Sequence, residues 1–252
     1  MGVCQNARRQ RIDKMIKNGI SRFHLVLSYI TTFLSCSVNH PKEVWIGDSH
    51  SFYIKNPRGG IKRYSITEDK SLVLWLGPKL LYTISKEGIK LSFADRVLLK
   101  LTCRGSSLFL VFGEIDIRVH LPLRNIEMSE YASIVRDFKS QTTKWANFFE
   151  FKRIVVIGPV PPSDMGPINP NFPRNGSLIV RIQCHSSLIK ELLKLSNGFF
   201  NVFDSRGILS NKEGSLSLDL TDDGVHLNSK GSRILLSQLD NFLGEISDQQ
   251  SR

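Results

Sequence analysis

Short apolar runs alternate along this chain with longer segments in which apolar residues recur every three or four positions. The runs that indicate strands lie at 43–47, 71–76, 107–113, 153–158 and 199–203. The segments that indicate helices lie at 92–103, 126–149, 185–196 and 229–243. Because strands that alternate with helices form a parallel sheet covered on both faces, the pattern predicts an α/β protein. We expect a three-layer α/β/α sandwich around a five-stranded parallel sheet.

The length and composition agree with a single folded unit. The chain has 252 residues, of which 41% are hydrophobic and 23% are charged, and this balance argues against extensive disorder. Chains of this size are often one α/β domain. We assign the domain to residues 43–245, with a basic helical extension at 1–42 packed on it and a polar tail at 246–252.

Two short segments near opposite ends of this domain contain residue types that acyl transfer needs. Gly47-Asp48-Ser49 follows the apolar run Val44-Trp45-Ile46, which places Ser49 at the carboxyl end of a strand, where open α/β sheets carry reactive groups. Asp223 precedes His226 by three residues in a turn that contains a glycine. A serine hydroxyl is a weak nucleophile until a base takes its proton, and a carboxylate orients that base. The two segments therefore predict a catalytic triad of Ser49, His226 and Asp223.

With these segments the chain resembles the SGNH hydrolases, also called GDSL-type esterases, whose first sequence block is Gly-Asp-Ser and whose last is Asp-x-x-His. The matching segments are Ile46-Gly47-Asp48-Ser49-His50 and Asp223-Gly224-Val225-His226-Leu227-Asn228, and the resemblance spans residues 43–243. It implies a flavodoxin-like fold and ester hydrolysis through the triad. It also implies an oxyanion hole formed by the backbone N–H groups of Ser49 and Gly77, the latter following a strand-like run.

The third block of the family departs from its usual pattern in this chain. The family has Gly-x-Asn-Asp, in which the asparagine donates to the oxyanion, whereas this chain has Gly113-Glu114-Ile115-Asp116. Isoleucine cannot donate a hydrogen bond, and the loss of one oxyanion donor costs on the order of 10²–10³ in rate. Either Arg118 or His120 compensates, or the site does not catalyse. The residues expected around the pocket are Asp48, His50, Gly113, Glu114, Asp116, Arg118 and His120.

A proline-rich stretch follows the fourth predicted strand. Prolines recur from 159 to 173 and continue neither a strand nor a helix. Since loops at the carboxyl ends of strands tend to build active sites, this stretch either frames the substrate pocket or is a plain surface connection.

The formal net charge of the chain is +11. A basic surface attracts anionic partners, so we expect the excess charge either to form a solvated basic face or to dock on an anionic glycan or a membrane surface. Nucleic acid is disfavoured, because there is no zinc-finger spacing and the aromatic residues do not interleave with the basic cluster. The basic residues that crowd the beginning of the chain are Arg8, Arg9, Arg11, Lys14, Lys17 and Arg22.

The moderately apolar segment 23–36 follows these basic residues, as the apolar part of a signal peptide would. Polar residues interrupt it and no small-x-small cleavage site precedes the first strand, which favours an amphipathic helix packed on the sheet and a cytoplasmic location. The segment is also too short to span a membrane.

Neither the cysteines nor the histidines have the spacing of metal ligands, so we expect no metal and no cofactor. Cys36 and Cys103 lie in apolar surroundings typical of core residues. Cys184 and His185 are adjacent, and consecutive side chains diverge on a helix or a strand, which excludes a nucleophile–base pair.

These observations predict a serine hydrolase that cleaves an ester. The family resemblance implies a small acyl group, such as acetyl, on a carbohydrate or another small molecule. Two alternatives stay open. One is an acyltransferase that uses the same triad to acylate a sugar hydroxyl. The other is a non-catalytic glycan-binding or assembly protein of the same fold, which Ile115 and the basic charge favour.

Overall fold

A six-stranded sheet with the order β2-β3-β1-β4-β5-β6 forms the centre of the molecule. Neighbouring strands are parallel, except that β2 runs antiparallel to β3. The computed structural model describes residues 25–55, 62–124, 128–166, 170 and 173–250. The strands in this part of the chain are β1 (Glu43–Gly47), β2 (Tyr64–Ile66), β3 (Leu72–Trp75), β4 (Ser107–Val111), β5 (Arg153–Ile157) and β6 (Phe200–Phe203).

The α/β fold class is confirmed, with one strand more than the five that the apolar runs predict. The additional strand, β2, lies at one edge of the sheet and has only three residues. Tyr64 is its one buried residue, while Ser65 and Ile66 are half-buried. An edge strand this short has no apolar run by which the sequence would reveal it.

Helices cover both faces of the sheet. In the described residues they are α1 (25–38), α2 (Ser49–Lys55), α3 (Leu81–Glu87), α4 (Phe93–Thr102), α5 (Leu121–Arg124), α6 (Met128–Phe148), α7 (Leu178–Leu193), α8 (Arg206–Leu209) and α9 (Ser229–Gln250), together with a π-helical turn (Asp116–His120) and a 3₁₀ turn (Leu218–Leu220).

Alternate residues of the buried strands supply two separate apolar cores, because successive side chains on a strand point to opposite faces. Val44 and Ile46 of β1 join the core beneath α1, α3, α4, α6 and α7. Trp45 joins the core beneath α2, α8 and α9, where its ring stacks on Phe109 with 4.5 Å between ring centres. Two helical layers and one sheet thus give the predicted three layers.

Two helices differ in extent from their sequence prediction. Helix α7 begins at Leu178, seven residues before the predicted start, with the Ser177 side chain as its N-cap. The periodicity is hidden there because the buried face includes Arg181, which is 1% exposed. Helix α9 continues past residue 243 to Gln250, and Ile246 is buried against the fold.

The amino-terminal helix α1 packs against the core through Tyr29, Phe33 and Cys36. The basic residues that precede it lie outside the described residues. Among the helices that the structure describes, none has both the length and the apolarity needed to cross a membrane.

The strand order positions a site at the carboxyl end of β1. The chain leaves β1 to form β3 on one side and then returns to form β4 on the other, and ligands of open α/β sheets bind at such a switch point. β1 and β4 approach each other closely at this end. A Cβ atom at Gly47 would lie only 2.3 Å from the carbonyl oxygen of Val111.

We expect Gly47→Ala to lower the free energy of unfolding by about 1–3 kcal/mol, because the added methyl group forces β1 away from β4. Gly207→Ala is the matched control, since no atom lies within 4 Å of a Cβ at that position. Urea denaturation followed by circular dichroism measures both variants. Equal stability of the two would contradict the close approach at Gly47.

Candidate active site

Ser49 and His226 meet at the carboxyl end of β1, although 177 residues separate them in the chain. Ser49 is the first residue of α2, directly after β1 and Asp48. His226 lies in the turn that leads into α9. The distance between Ser49 Oγ and His226 Nε2 is 2.8 Å, which is hydrogen-bond length for a hydroxyl donating to an unprotonated ring nitrogen.

Asp223 lies on the other side of the imidazole. Its Oδ2 is 2.7 Å from His226 Nδ1, while its Oδ1 accepts the backbone N–H groups of Val225 (2.8 Å) and His226 (2.7 Å). One carboxylate therefore closes the turn and orients the ring. Partial burial alone raises the pKa of Asp223, but the hydrogen bonds from His226 and Val225 outweigh it and hold the pKa well below its usual range.

The pKa of His226 is lowered from its ordinary value of 6.5. Burial lowers it most, the hydrogen bond to Asp223 opposes that effect, and the nearby His50 lowers it further. The imidazole is therefore neutral at pH 7. With Nδ1–H donating to Asp223, Nε2 is left as the acceptor for the Ser49 hydroxyl. This is the arrangement that a general base needs.

Backbone hydrogen bonds bring two further segments to Ser49. Leu76, the residue before Gly77, donates its N–H to Gly47 O at 2.9 Å, and Asp48 donates its N–H to Val111 O at 3.3 Å. Gly77 is half-buried and adopts a positive φ of 80°. The structure thus places Gly77 at the same end of the sheet as Ser49, and its role in an oxyanion hole stays a prediction.

Asp48 fixes the beginning of α2. Its Oδ1 accepts the N–H of His50 at 2.9 Å, and its carbonyl accepts the hydroxyl of Ser51 at 2.8 Å. The side chain is buried, and burial raises the pKa of its carboxyl to about 6. These contacts hold the helix turn from which Ser49 projects.

Three of the predicted pocket residues, His50, Glu114 and Arg118, form a buried charged group beside His226. Arg118 donates to both carboxylate oxygens of Glu114, at 2.6 and 3.1 Å, and Glu114 Oε2 lies 3.5 Å from His50 Nε2. Burial raises the pKa of Glu114, but His50 and Arg118 outweigh it and lower the pKa to about 2. The ring centres of His50 and His226 are 4.8 Å apart.

Solved structures with this architecture have related descriptions. A protein from Streptococcus pneumonia described as a platelet activating factor is 14% identical, with a TM-score of 0.56 and coverage of 91% of this chain and 99% of that one. An acylhydrolase, so described, from Bacteroides fragilis NCTC 9343 is 14% identical, with a TM-score of 0.51 and coverage of 86% and 94%. A GDSL-like lipase from Bacteroides thetaiotaomicron VPI-5482 is 12% identical, with a TM-score of 0.51 and coverage of 81% and 87%.

The chain has the SGNH hydrolase fold. At these identities the likeness concerns the fold, and the roles of individual residues stay predictions. No protein-family model and no curated protein matches the sequence.

Asp116 is the residue that the resemblance assigns to the last position of the third SGNH block, and its side chain caps a helix in this structure. Its Oδ2 accepts the N–H of Leu81 at 2.7 Å and its Oδ1 that of Tyr82 at 3.1 Å, at the beginning of α3. Burial raises the pKa of its carboxyl to about 6, although these amide groups lower it. Its contacts show a structural role, which ties the end of β4 to the segment after Gly77.

The remaining predicted pocket residues are less closely joined to Ser49. His120 is half-buried at the end of the π-helical turn, and no hydrogen bond joins it to Ser49 or His226 in the described part of the chain. Gly113 lies where β4 ends, and a Cβ there would be 2.8 Å from the Pro159 ring.

Tyr53 is a site residue that the sequence argument missed. Its ring stacks on the face of His226 with 4.2 Å between ring centres and 26° between the planes. The signal was present, because Tyr53 follows Ser49 by four residues and helical residues at that spacing share a face.

The part of the proline-rich stretch that the structure describes also contacts the candidate active site. A Cβ at Gly166 would lie 1.9 Å from the carbonyl oxygen of Asp223, so the loop packs directly on the Asp223–His226 turn. The buried Arg181 of α7 holds this loop by donating to the carbonyl of Ser163 at 2.9 Å. The described part of the stretch thus contacts the candidate site, and its role in framing the substrate pocket stays a prediction.

We expect Asp116→Ala to lower the free energy of unfolding by about 1–2 kcal/mol, because two N–H groups at the beginning of α3 lose their acceptor. Asp116→Asn keeps one acceptor oxygen and is expected to lose less. Asp240→Ala, at an exposed position of α9, is the control and should stay within about 0.5 kcal/mol of the wild type. Chemical denaturation measures all three, and an Asp116→Ala protein as stable as the control would contradict the capping role.

Proposed function

We propose that the protein is a serine hydrolase that cleaves a carboxylic ester. The observation that carries the proposal is the continuous hydrogen-bonded series from Ser49 Oγ to His226 Nε2 (2.8 Å) and from His226 Nδ1 to Asp223 Oδ2 (2.7 Å). Nucleophile, base and orienting carboxylate are all in reach of one another. The SGNH hydrolase fold, which is the fold of solved proteins described as an acylhydrolase and a lipase, supports it.

In the proposed reaction, Ser49 Oγ attacks the ester carbonyl while His226 Nε2 takes the hydroxyl proton. Asp223 stabilises the imidazolium that forms and keeps its ring in place. The backbone N–H groups of Ser49 and Gly77 bind the oxyanion. His226 then returns the proton to the leaving alcohol, and water, activated by the same base, releases the acyl group from Ser49.

For the substrate, we propose a small acyl group, acetyl above all, on a carbohydrate. Transfer of the acyl group to a sugar hydroxyl uses the same residues, since only the nucleophile of the second half-reaction changes. Product analysis with and without an added sugar acceptor separates hydrolysis from transfer. The basic charge supports an anionic glycan as the carrier of the ester.

One observation favours a second function, a non-catalytic glycan-binding protein of the same fold. Ile115 stands where the SGNH pattern has its asparagine donor, and it is buried. Arg118, one expected substitute, already donates through two of its nitrogens to Glu114. If the protein only binds glycans, Ser49 would not react as an activated nucleophile.

We expect Ser49→Ala and His226→Ala each to abolish nearly all turnover of p-nitrophenyl acetate, and the double variant to be little worse, because the members of a triad act as a unit. A fluorophosphonate probe should label the wild type and fail to label Ser49→Ala. Ser237→Ala, an exposed serine of α9, is the matched control and should be labelled like the wild type.

Additive losses in the double variant would point to a different nucleophile. A wild type that neither turns over a graded series of p-nitrophenyl esters nor reacts with the probe would overturn ester hydrolysis and leave the binding protein.

We expect Ile115→Asn to raise kcat by up to on the order of 10², because the amide supplies the donor that the third block lacks. Ile115→Val is the control, since it changes the volume without adding a donor. Steady-state kinetics on the same acetyl ester compare the two. If Ile115→Asn gains nothing over Ile115→Val while both stay folded, the oxyanion is bound by other groups.

A further inference from the structure

His50 is a buried imidazole that the Ser49–His226–Asp223 series does not use. It follows Ser49 on α2, and its side chain is 3% exposed. In the described part of the chain neither of its ring nitrogens has a hydrogen-bond partner. Its ring lies against that of His226, with 4.8 Å between ring centres and 36° between the planes. At this distance any charge on His50 acts directly on the candidate base.

The groups around His50 favour its protonated form. Glu114 Oε2 lies 3.5 Å from His50 Nε2, and Asp48 adds a second carboxyl nearby. Burial alone lowers the pKa of His50, but Glu114 and Asp48 outweigh it, against a smaller effect of Arg118, and raise the pKa above the ordinary value of 6.5.

The other titratable groups at this place do not replace that charge. Tyr53 covers another part of the His226 ring as a neutral side chain, and Asp223 is an anion that favours protonation of His226. Asp116 acts on Asp48 and is bonded to α3. His50 is thus the cationic group that lies against the His226 ring among the described contacts.

We propose that His50, held as a cation by Glu114, is a positioning residue that presents a positive charge to the ring of His226 and so keeps the base unprotonated into the weakly acidic range. A second proton on the pair would place two cations 4.8 Å apart in a buried site. The two rings therefore take up their protons in separate steps, His50 at the higher pH and His226 at the lower.

The effect of His50 on catalysis rests on the proposed function, and the direction in which it shifts the pH dependence of kcat/KM is fixed. A general base works in its neutral form, so kcat/KM rises with pH as His226 loses its proton. Without the His50 cation, and with Glu114 still negative, His226 holds its proton to a higher pH. The acid limb of the pH profile then moves to higher pH by about 1 unit. At pH values on the acid side of the limb, kcat/KM is about tenfold lower than in the wild type.

The test that is independent of activity is a proton titration of the imidazoles by NMR. In the wild type we expect His50 to be protonated at pH 6.5 and His226 to be neutral, and in His50→Gln we expect the pKa of His226 to rise by about 1 unit. An unchanged or lower pKa of His226 in His50→Gln, or a neutral His50 at pH 6.5 in the wild type, would overturn the proposal. Should His50→Gln fail to fold, His50→Phe keeps an aromatic ring at this position and removes the charge.

The second arm follows kcat/KM for an acetyl ester from pH 4 to pH 8. His50→Gln should move the acid limb upward, whereas a merely structural role would lower kcat/KM at every pH and leave the limb in place. Tyr53→Phe is the matched control, because it keeps a ring stacked on His226 and changes no charge, so the limb should not move. If the wild type hydrolyses no ester, the proposed function fails, and the NMR titration still decides the role of His50.

Discussion

The close approach of β1 to β4 at Gly47 is the constraint on which the site depends. With no side chain at Gly47, Val111 O can lie against the end of β1 and accept the N–H of Asp48 at 3.3 Å. That contact sets the position at which α2 begins and hence where Ser49 projects. It also brings the chain that follows β4, with Glu114 and Arg118, beside the first turn of α2. The strand order places both Ser49 and the buried charges of Glu114 and Arg118 at this end of the sheet, because β1 lies between β3 and β4 at the switch point.

Burying several charges next to one another costs free energy unless each is paired. The structure meets this requirement by alternating signs: Arg118 binds Glu114 with two nitrogens, and Glu114 in turn faces His50. Asp48 Oδ2 and the ring nitrogens of His50 are buried without a hydrogen-bond partner in the described residues, and burial raises the pKa of Asp48 to about 6. Burial raises the pKa of the Asp48 carboxyl and nearby carboxyl groups raise the pKa of the adjacent His50 imidazole, so the two protonation states are coupled. The charge behind Ser49 therefore changes with pH in a range where hydrolysis would be measured.

The sequence predicted those features that depend on local pattern. Five strands, the layer arrangement and the pairing of Ser49 with the Asp223–His226 turn follow from apolar runs and from motif spacing. The sequence did not predict the features that are determined by tertiary contacts. The edge strand at Tyr64 is too short to show a pattern, and the first turns of α7 were hidden because their buried face includes Arg181, whose partner is the carbonyl of Ser163. The contact of Glu114 with His50 was out of reach for the same reason: residues 50 and 114 belong to different strand–helix junctions, and only the β1–β4 pairing makes them neighbours.

The candidate base is defined by three parts of the chain that are distant in sequence. The turn before α9 supplies the ring and, through Asp223, its tautomer. Helix α2 supplies the hydroxyl and both aromatic neighbours of the ring, Tyr53 and His50. The end of β4 supplies the anion that controls the charge on His50. Because one short helix carries the nucleophile and the two described rings that contact His226, a small rotation of α2 would move the proton donor Ser49, the stacking ring of Tyr53 and the charged ring of His50 together. The hydrogen bonds of Asp48 that fix the first turn of α2 thus bear on the basicity of His226 as well as on the position of Ser49.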